Sequence, residues 1–310
     1  ILKLRYEKYS TTDPMQHISV LMDEVIANLD PHPGESFVDA TANGGGHFFE
    51  IARRIEGGMI LGIEADPEIA EKLKLKSEDS GIGAKMIVVS DSYENIKNIL
   101  EGNTFGQANG ILFDLGFSSV QLEHSGRGFS FQKDEPLDMR FDPVRNTLRA
   151  SDIVNHGTRE ELEKILKEYG EERYARKIAD AIAESRKRRA IQTTFDLISV
   201  LQTAIPGPAQ RGRIHFATRT FQALRIAVNN EFEVIKKGIM DAIDCLKPGG
   251  RVLVITFHSS EDRIVKFLFK NKEKEGIIAL VHTKPIVPTR MEVLGNNRAR
   301  SAKLRVAEKQ

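Results

Sequence analysis

The sequence predicts an α/β fold: a parallel sheet covered by helices and interrupted by a helical block between its fourth and fifth strands. Three observations carry this expectation. Short apolar runs alternate with helical spacing from residue 36 to residue 116. The alternation then stops for about a hundred residues. It resumes at residue 216 and continues to the end of the chain. Apolar runs too short for helices, separated by segments of 3.6-residue period, are the pattern of buried parallel strands with crossover helices.

Taken in order, "SFVDAT" (36–41) reads as the first strand and "HFFEIARRI" (47–55) as a helix. "MILGIEA" (59–65) is a second strand, "PEIAEKLKLKSED" (67–79) a second helix, and "AKMIVVSD" (84–91) a third strand. The helical "YENIKNILEG" leads to "GILFDLG" (110–116), the fourth strand. Residues 117–143 are rich in Gly, Ser, Asp and Pro and show no period. "TREELEKILKEYG" then opens on Thr158 with Glu161 three residues later, a capping box. Leu162, Ile165, Leu166 and Tyr169 share one face of that helix. "EERYARKIADAIAESRKRRA" and "TTFDLISVLQTAI" are two further helices, the latter stopped by Pro206. One long helix is expected over 216–246, with Phe221, Leu224, Val228, Ile235, Ile239, Ala242 and Leu246 along its core stripe. "KPGG" turns into "RVLVITFH" (251–258), a fifth strand. A helix over "SSEDRIVKFLFKNK" and two strands, "IIALVHT" (277–283) and "SAKLRVAEK" (301–309), complete the chain. The expected domains are therefore 1–116 with 216–310, and an inserted helical unit over 117–215.

Bulk properties narrow the function classes. The net charge is only +1 although 29% of residues are charged, so a strongly charged tail is excluded and a local basic face is not. The single cysteine, Cys245, excludes a disulfide framework and suits a reducing, cytoplasmic compartment. No apolar run approaches the ~20 residues that span a bilayer. "ILKLRYEKYS" lacks a signal peptide's hydrophobic core.

The segment "VDATANGGGHF" (38–48) is the first chemical signal. In the dinucleotide fingerprint G-x-G-x-x-G, the glycines serve the turn, phosphate approach and helix packing. Gly44 and Gly46 fit the first two positions, but the third is Phe49. Asp39 ends the first strand and Glu64 ends the second, about eighteen residues after Gly46, where an acid can accept hydrogen bonds from a ribose. With Asp114 at the end of the fourth strand, three acids converge on the edge where ligands bind in open α/β sheets. Such a set suits a cation better than a pyrophosphate. S-adenosylmethionine carries a ribose, a sulfonium and an ammonium group, and no phosphate. The plainer alternative is that the glycines only turn the chain and the acids only cap helices. Tyr93, or its neighbour Ser92, stands where it can cover an adenine face.

The blocks "DLGFSSVQL" (114–122), "RGFSF" (127–131), "PLDMRFDP" (136–143), "YGEERYARKIA" (169–179), "HFATRTFQALRIAVNNE" (215–231) and "FHSSEDRIVK" (258–266) resemble the signature segments of the RsmH/MraW family. The resemblance runs from "HISVLMDEV" (17–25) to "NNRARSAKLRVAE" (296–308). It implies a Rossmann-like class I methyltransferase sheet of seven strands, the last one antiparallel. It also implies S-adenosylmethionine-dependent methylation of the exocyclic N4 of a cytidine in 16S-type small-subunit ribosomal RNA, near the decoding site. The implied partner is that RNA within an assembled or assembling subunit, with no membrane and with a homodimer left open. Gly45, Gly46 and His47 match the family's glycine loop, and Asp114 and Gln121 match two further cofactor contacts. Glu64 stands where many members have Asp, and Tyr93 where Phe is frequent. "ATANGGGH" and Ser260 depart from the commoner pattern.

The residues also bound the mechanism. Methyl transfer from a sulfonium is an in-line displacement that gains mainly from orientation. The cytosine amino lone pair is delocalised into the ring, so an acceptor for one of its protons would draw density back to nitrogen. Asp114 suits that role or cofactor binding. Ser118 and Ser119 either hydrogen-bond the base or build the turn. Asp138 and Arg140 either pair with each other or line the substrate entrance. His258 and Ser259 are expected to face the substrate, with Glu261 and Asp262 charging a helix N-terminus. The catalytic candidates are thus Asp114, Ser118, Asp138 and His258. The cations expected to meet RNA are Arg127, Arg140, Arg211, Arg213, Arg219, Arg225, Arg298 and Arg300, with "RKRRA" (186–190) as a further cluster. No metal site is expected, because the histidines are scattered and no ligand motif occurs. Two other classes compete: an NAD(P)-dependent Rossmann oxidoreductase, and a non-catalytic RNA-binding ribosome-assembly factor.

Overall fold

The seven strands form one sheet in the order β3-β2-β1-β4-β5-β7-β6 in a computed structural model that describes residues 19–116, 121–122, 125–212 and 214–310. The strands are β1 (Ser36–Asp39), β2 (Met59–Glu64), β3 (Lys85–Ser90), β4 (Ala108–Asp114), β5 (Leu246–Thr256), β6 (Ile278–Leu280) and β7 (Lys303–Lys309). β1 pairs in parallel with β2 and β4, β2 with β3, and β4 with β5. β7 runs antiparallel to both β5 and β6. The seven strands and the reversed last one match the expected class I methyltransferase sheet. The order reverses direction between β1 and β4, the kind of crevice where open α/β sheets take ligands.

The sheet is buried on both faces, and its side chains divide by the two-residue period of a strand. Val38, Leu61, Ile63, Ile111, Phe113, Val252 and Val254 join one hydrophobic cluster. That cluster is closed by Ile96, Ile99, Ile235, Ile239, Val265 and Phe269 from helices Ile96–Gly102, Glu231–Cys245 and Ser259–Lys274. Phe37, Ile60, Leu112, Leu253 and Ile255 join the other cluster, covered by helices Met22–Leu29, Gly46–Ala52 and Pro67–Glu78. A third cluster binds the helices between β4 and β5, from Ala150–His156 through Arg159–Glu168, Ala175–Ser185 and Thr194–Ala204. Helix Thr218–Asn229 contributes Phe221, Leu224 and Val228 to that same cluster, whereas Glu231–Cys245 packs on the sheet.

The long helix expected over 216–246 is therefore two helices. Asn230 stands between them with φ 48°, a left-handed conformation that asparagine tolerates better than most residues. The break lets one stretch of amphipathic sequence serve two cores. The capping box at Thr158 and Glu161 forms as expected, with Glu161 N–H donating to Thr158 Oγ1 at 3.1 Å and Thr158 N–H to Glu161 Oε2 at 2.7 Å. Asn155 fastens helix Ala150–His156 to the chain at Ile191 through two hydrogen bonds of 2.7 and 2.9 Å.

Candidate functional site

The glycine turn is shaped by packing as well as by backbone conformation. Gly45 has φ 88°, and a Cβ there would stand 2.6 Å from both the Leu73 Cδ1 and Phe49 Cε2 atoms. Phe49, in the place of the fingerprint's third glycine, thus fills the space above Gly45. The close approach of helix to strand is supplied elsewhere. The Phe48 ring lies where a Cβ on Gly62 of β2 would be, 2.9 Å away. The small residue has moved from the helix to the strand, so the turn keeps its tightness without the dinucleotide pattern.

Beyond the turn, the strand ends assemble three buried carboxyl groups. Asp39 is 2% exposed, Glu64 5% and Asp114 8%. Glu64 Oε2 accepts the Asn43 N–H at 2.8 Å and Oε1 accepts the Asp66 N–H at 2.8 Å, which fixes the carboxyl plane. Asp66 is in turn gripped by the Arg127 guanidinium. Asp39 accepts from the Thr41 N–H at 3.2 Å, and the Thr41 hydroxyl accepts the Asp114 N–H at 2.6 Å. Burial pushes Asp39 up to about 7, and it pushes Glu64 up to about 7 against the opposing Asp66 and Asn43 N–H hydrogen bonds. Asp114 is pushed up to about 8 by burial and then by Asp39, against the opposing charge of Arg298.

The two oxygens of Asp114 have different surroundings. His47 is 4% exposed; its Nε2 lies 3.1 Å from the Val20 carbonyl, so that nitrogen carries a proton, and Nδ1 faces Asp114 Oδ2 at 3.7 Å. Asp114 Oδ1 is buried without a hydrogen-bond partner. A carboxylate oxygen left this way is costly unless a ligand reaches it.

A cavity of about 400 Å³ opens beside these groups, between the sheet edge and the helical block. Glu64, Tyr93 and Gln121 are on its wall, with Asn43 and Gly116. Asp39, Gly44, Gly45, Gly46, His47 and Asp114 lie next to the wall in sequence and are not on it. Tyr93 is held by an edge-on contact with Phe113, ring centroids 5.4 Å apart, and by Gly238, where a Cβ would be 2.5 Å from its ring. The far wall comes from residues that sequence reasoning passed over: Phe141, Asp142, Arg145, Asn146 and the Val228–Glu231 stretch. Asn229 takes the Phe141 N–H at 2.8 Å and gives hydrogen bonds to the Met139 and Arg225 carbonyls. Arg145 bonds Asp142 and the Ser90 carbonyl at the end of β3. The available signal was the Asn229–Asn230 pair inside an otherwise continuous helical stripe.

The remaining candidates fall into three groups. Asp138 and Arg140 form a two-point pair of 2.8 and 2.6 Å, and Arg140 also bonds the Pro143 and Asn146 carbonyls. They build the loop that carries Phe141 and Arg145. His258 caps helix Ser259–Lys274 by accepting the Glu261 N–H at Nδ1, and its Nε2 stands 3.0 Å from Glu261 Oε1 without hydrogen-bond alignment. Burial opposes the Glu261 charge, yet His258, Arg225 and the Phe257 N–H hold that carboxyl below its usual range. Ser118, Ser119 and Arg213 lie outside the described residues.

Of the cations assigned to RNA, Arg225 is corrected by the structure. It is 8% exposed and makes a two-point pair with Glu231 at 2.7 and 2.9 Å, so it is a buried tie beneath Tyr93 and is closed to phosphates. Arg127 and Arg140 are internal ties of the same kind. Arg211 and Arg300 are exposed, Arg219 is half-buried and bonds the Glu171 carbonyl, and Arg298 is half-buried near Asp114. Among the described residues no three His, Cys, Asp or Glu side chains group as metal ligands, and no helix is long and apolar enough to cross a membrane.

Sheet order, reversed seventh strand, glycine turn and clustered strand-end acids together define a class I methyltransferase. The chain belongs to the MraW methylase family, whose sequence profile matches residues 14–310. It is 44% identical over 295 residues to the ribosomal RNA small subunit methyltransferase H of Persephonella marina, a match covering 95% of this chain and 99% of that one. It is 46% identical over 312 residues to the protein of the same name from Acetivibrio thermocellus, covering 95% and 99%. Membership of a methylase family displaces the oxidoreductase alternative.

Proposed function

We propose that this protein uses S-adenosylmethionine to methylate small-subunit ribosomal RNA, and that its target is the exocyclic N4 of a cytidine near the decoding site. One observation carries the reading: three buried carboxyl groups at one sheet edge, each displaced toward the uncharged form, beside a cavity walled by Glu64 and Tyr93. A cationic ligand favours their ionised form, whereas a pyrophosphate would push them further toward the uncharged form. The residues fit S-adenosylmethionine: Glu64 for the ribose, Tyr93 and Gln121 for the adenosine part, and Asp39 with the Gly44–Gly46 turn for the amino-acid part. When bound, it supplies an electrophilic methyl group on a sulfonium.

The chain's own contribution is orientation and proton handling. In this reading the buried, unpartnered Asp114 Oδ1 serves the substrate, while Oδ2 faces the His47 ring at 3.7 Å. Oδ1 accepts a hydrogen bond from the cytosine amino group, which aims the nitrogen lone pair. The amine becomes acidic as it gains carbon, and Asp114 is the group placed to hold the released proton. The unit 117–215, extended by helix Thr218–Asn229, serves as the substrate clamp, which suits a target that must be lifted from structured RNA in an assembled or assembling subunit. The proposed compartment is the cytoplasm, where that RNA resides.

The test is mass spectrometry of ribosomal RNA nucleosides from cells with and without the gene, together with methyl incorporation by the purified protein into small-subunit particles. Loss of an N4-methylated cytidine supports the reading. A different modified atom, or no incorporation into either free RNA or particles, would overturn it.

A further inference from the structure

A second cavity, of about 550 Å³, lies one strand further along the same sheet edge. Its inner wall is Phe257, His258 and Ser259, which continue β5 past the point where Ile255 pairs with Asp114. Adjacent strands are about 4.8 Å apart, so this wall is the immediate neighbour of the Asp114 tip. The outer wall is Val287, Pro288 and Val293, from the excursion between β6 and β7, with Arg300 and Lys303 at its rim.

Two features of the excursion are unusual for a solvated loop. Val287 is 58% exposed, Met291 61% and Leu294 72%. Residues 283–305 also hold six cations (Lys284, Arg290, Arg298, Arg300, Lys303 and Arg305) against one carboxylate, Glu292, in a chain whose net charge is +1. Glu292 is occupied by the Leu21 N–H at 2.7 Å, and Lys303 and Arg305 share Asp262. Arg300 remains exposed at the cavity rim. Apolar surface for a base face and a cation for a phosphate are the two elements of single-strand recognition.

We propose that this second cavity seats a nucleotide flanking the target base on the RNA strand, its base against the Phe257, Val287 and Val293 wall and its phosphate on Arg300. The inference rests on the RNA-methylating reading above and gives it a direction: the strand leaves the Asp114 tip toward β7, away from the cofactor cavity. His258 then stands between target and flanking nucleotide, with its orientation set by Glu261.

The experiment measures anisotropy of a fluorescein-labelled, cytidine-containing single-stranded RNA across a potassium chloride series, for the wild type, Arg300→Gln and Val287→Ser. Calorimetric S-adenosylmethionine binding on the same preparations checks that each variant is folded. Arg300→Gln is expected to weaken RNA binding severalfold and to lower the salt slope by about 1. Val287→Ser is expected to weaken binding at unchanged slope. Cofactor affinity stays at the wild-type value in both. Wild-type RNA affinity and slope in both variants would overturn the proposal while leaving the enzymatic reading intact. Absence of methyl incorporation by the wild-type protein would count against the enzymatic reading itself.

Discussion

Asp114 concentrates the chemistry of the site in one side chain, because its two oxygens are treated differently. Oδ2 faces the His47 ring, whose other nitrogen is committed to the Val20 carbonyl, and Oδ1 is left for a ligand. Replacement by Asn keeps the shape and removes the ability to take a proton. Asp114→Asn is therefore expected to reduce methyl incorporation by at least ~10²-fold, the lower range for loss of a proton-transfer group. Its affinity for S-adenosylmethionine should fall by less than ~10-fold, because Glu64 and the glycine turn keep their geometry. Incorporation is followed with radiolabelled cofactor and affinity by calorimetry. Equal losses in the two measurements would make Asp114 a cofactor contact alone. Arg225 gives the opposite lesson about single residues. Removing one partner of a buried pair leaves an uncompensated charge, which costs about 3–5 kcal/mol. Arg225→Leu should thus lower the urea midpoint strongly, and adding Glu231→Leu should recover part of the loss. A single variant as stable as the double would refute the assigned pairing.

Among the elements, the glycine turn and the paired helices after residue 216 show what amphipathic patterning reveals and what it hides. Gly45→Ala suffers twice, from φ 88° and from contact with Leu73 and Phe49. Gly34 has φ 79° with nothing within 4 Å of its would-be Cβ, so Gly34→Ala suffers only the backbone strain. The first is expected to cost about 1–3 kcal/mol more than the second, the price of overpacking a close contact. Thermal unfolding of both variants checks this, and equal shifts would show that packing at Gly45 is slack. Such contacts are invisible in sequence, which is why Phe49 reads there only as a missing glycine. Strand positions were legible because the central strands β1, β2 and β4 are buried along nearly their whole length and form short apolar runs. The helix over 216–246 was legible as amphipathic and not as two helices, since its stripe continues through Asn230 while changing partner from the helical cluster to the sheet. The strand-end acids were legible because chain order places them after strands. The far wall of the cavity was not, because Asn146, Asn229 and Arg145 act through carbonyls brought together only by the fold. Burial likewise separates Arg225 from Arg300, which look alike in a list of basic residues.

At the scale of the whole molecule, the fold itself creates an electrostatic burden. Parallel strands all end at one edge, and this chain ends three of them in acids, so folding gathers Asp39, Glu64 and Asp114 out of water together. Their usual values of 3.8, 4.5 and 3.8 rise to about 7, 7 and 8 in the folded chain. The folded state therefore binds more protons than the unfolded state between roughly pH 4 and pH 8, and stability must fall as pH rises through that window. Carboxyls held low by partners, such as Asp138 with Arg140 and Asp262 with Arg305 and Lys303, act in the other direction. Their contribution is present above pH 4 and is lost only on stronger acidification. The two effects occupy separate ranges. One pH unit of displacement in a single group corresponds to about 1.4 kcal/mol. Full expression by one acid raised to about 7 removes roughly 3 kcal/mol between pH 5 and pH 8, and partial expression proportionately less. A cation bound at the edge favours the ionised acids, so S-adenosylmethionine should bind more tightly as pH rises toward 8 and should release protons near pH 7. Urea unfolding between pH 5 and pH 8.5 is expected to show declining stability without ligand. The decline should be shallower at saturating S-adenosylmethionine, and calorimetry in buffers of different ionisation enthalpy should register proton release. Stability that is flat or rising over this range without ligand would mean that the three acids are charged in the folded protein, and that the edge carries its own compensation.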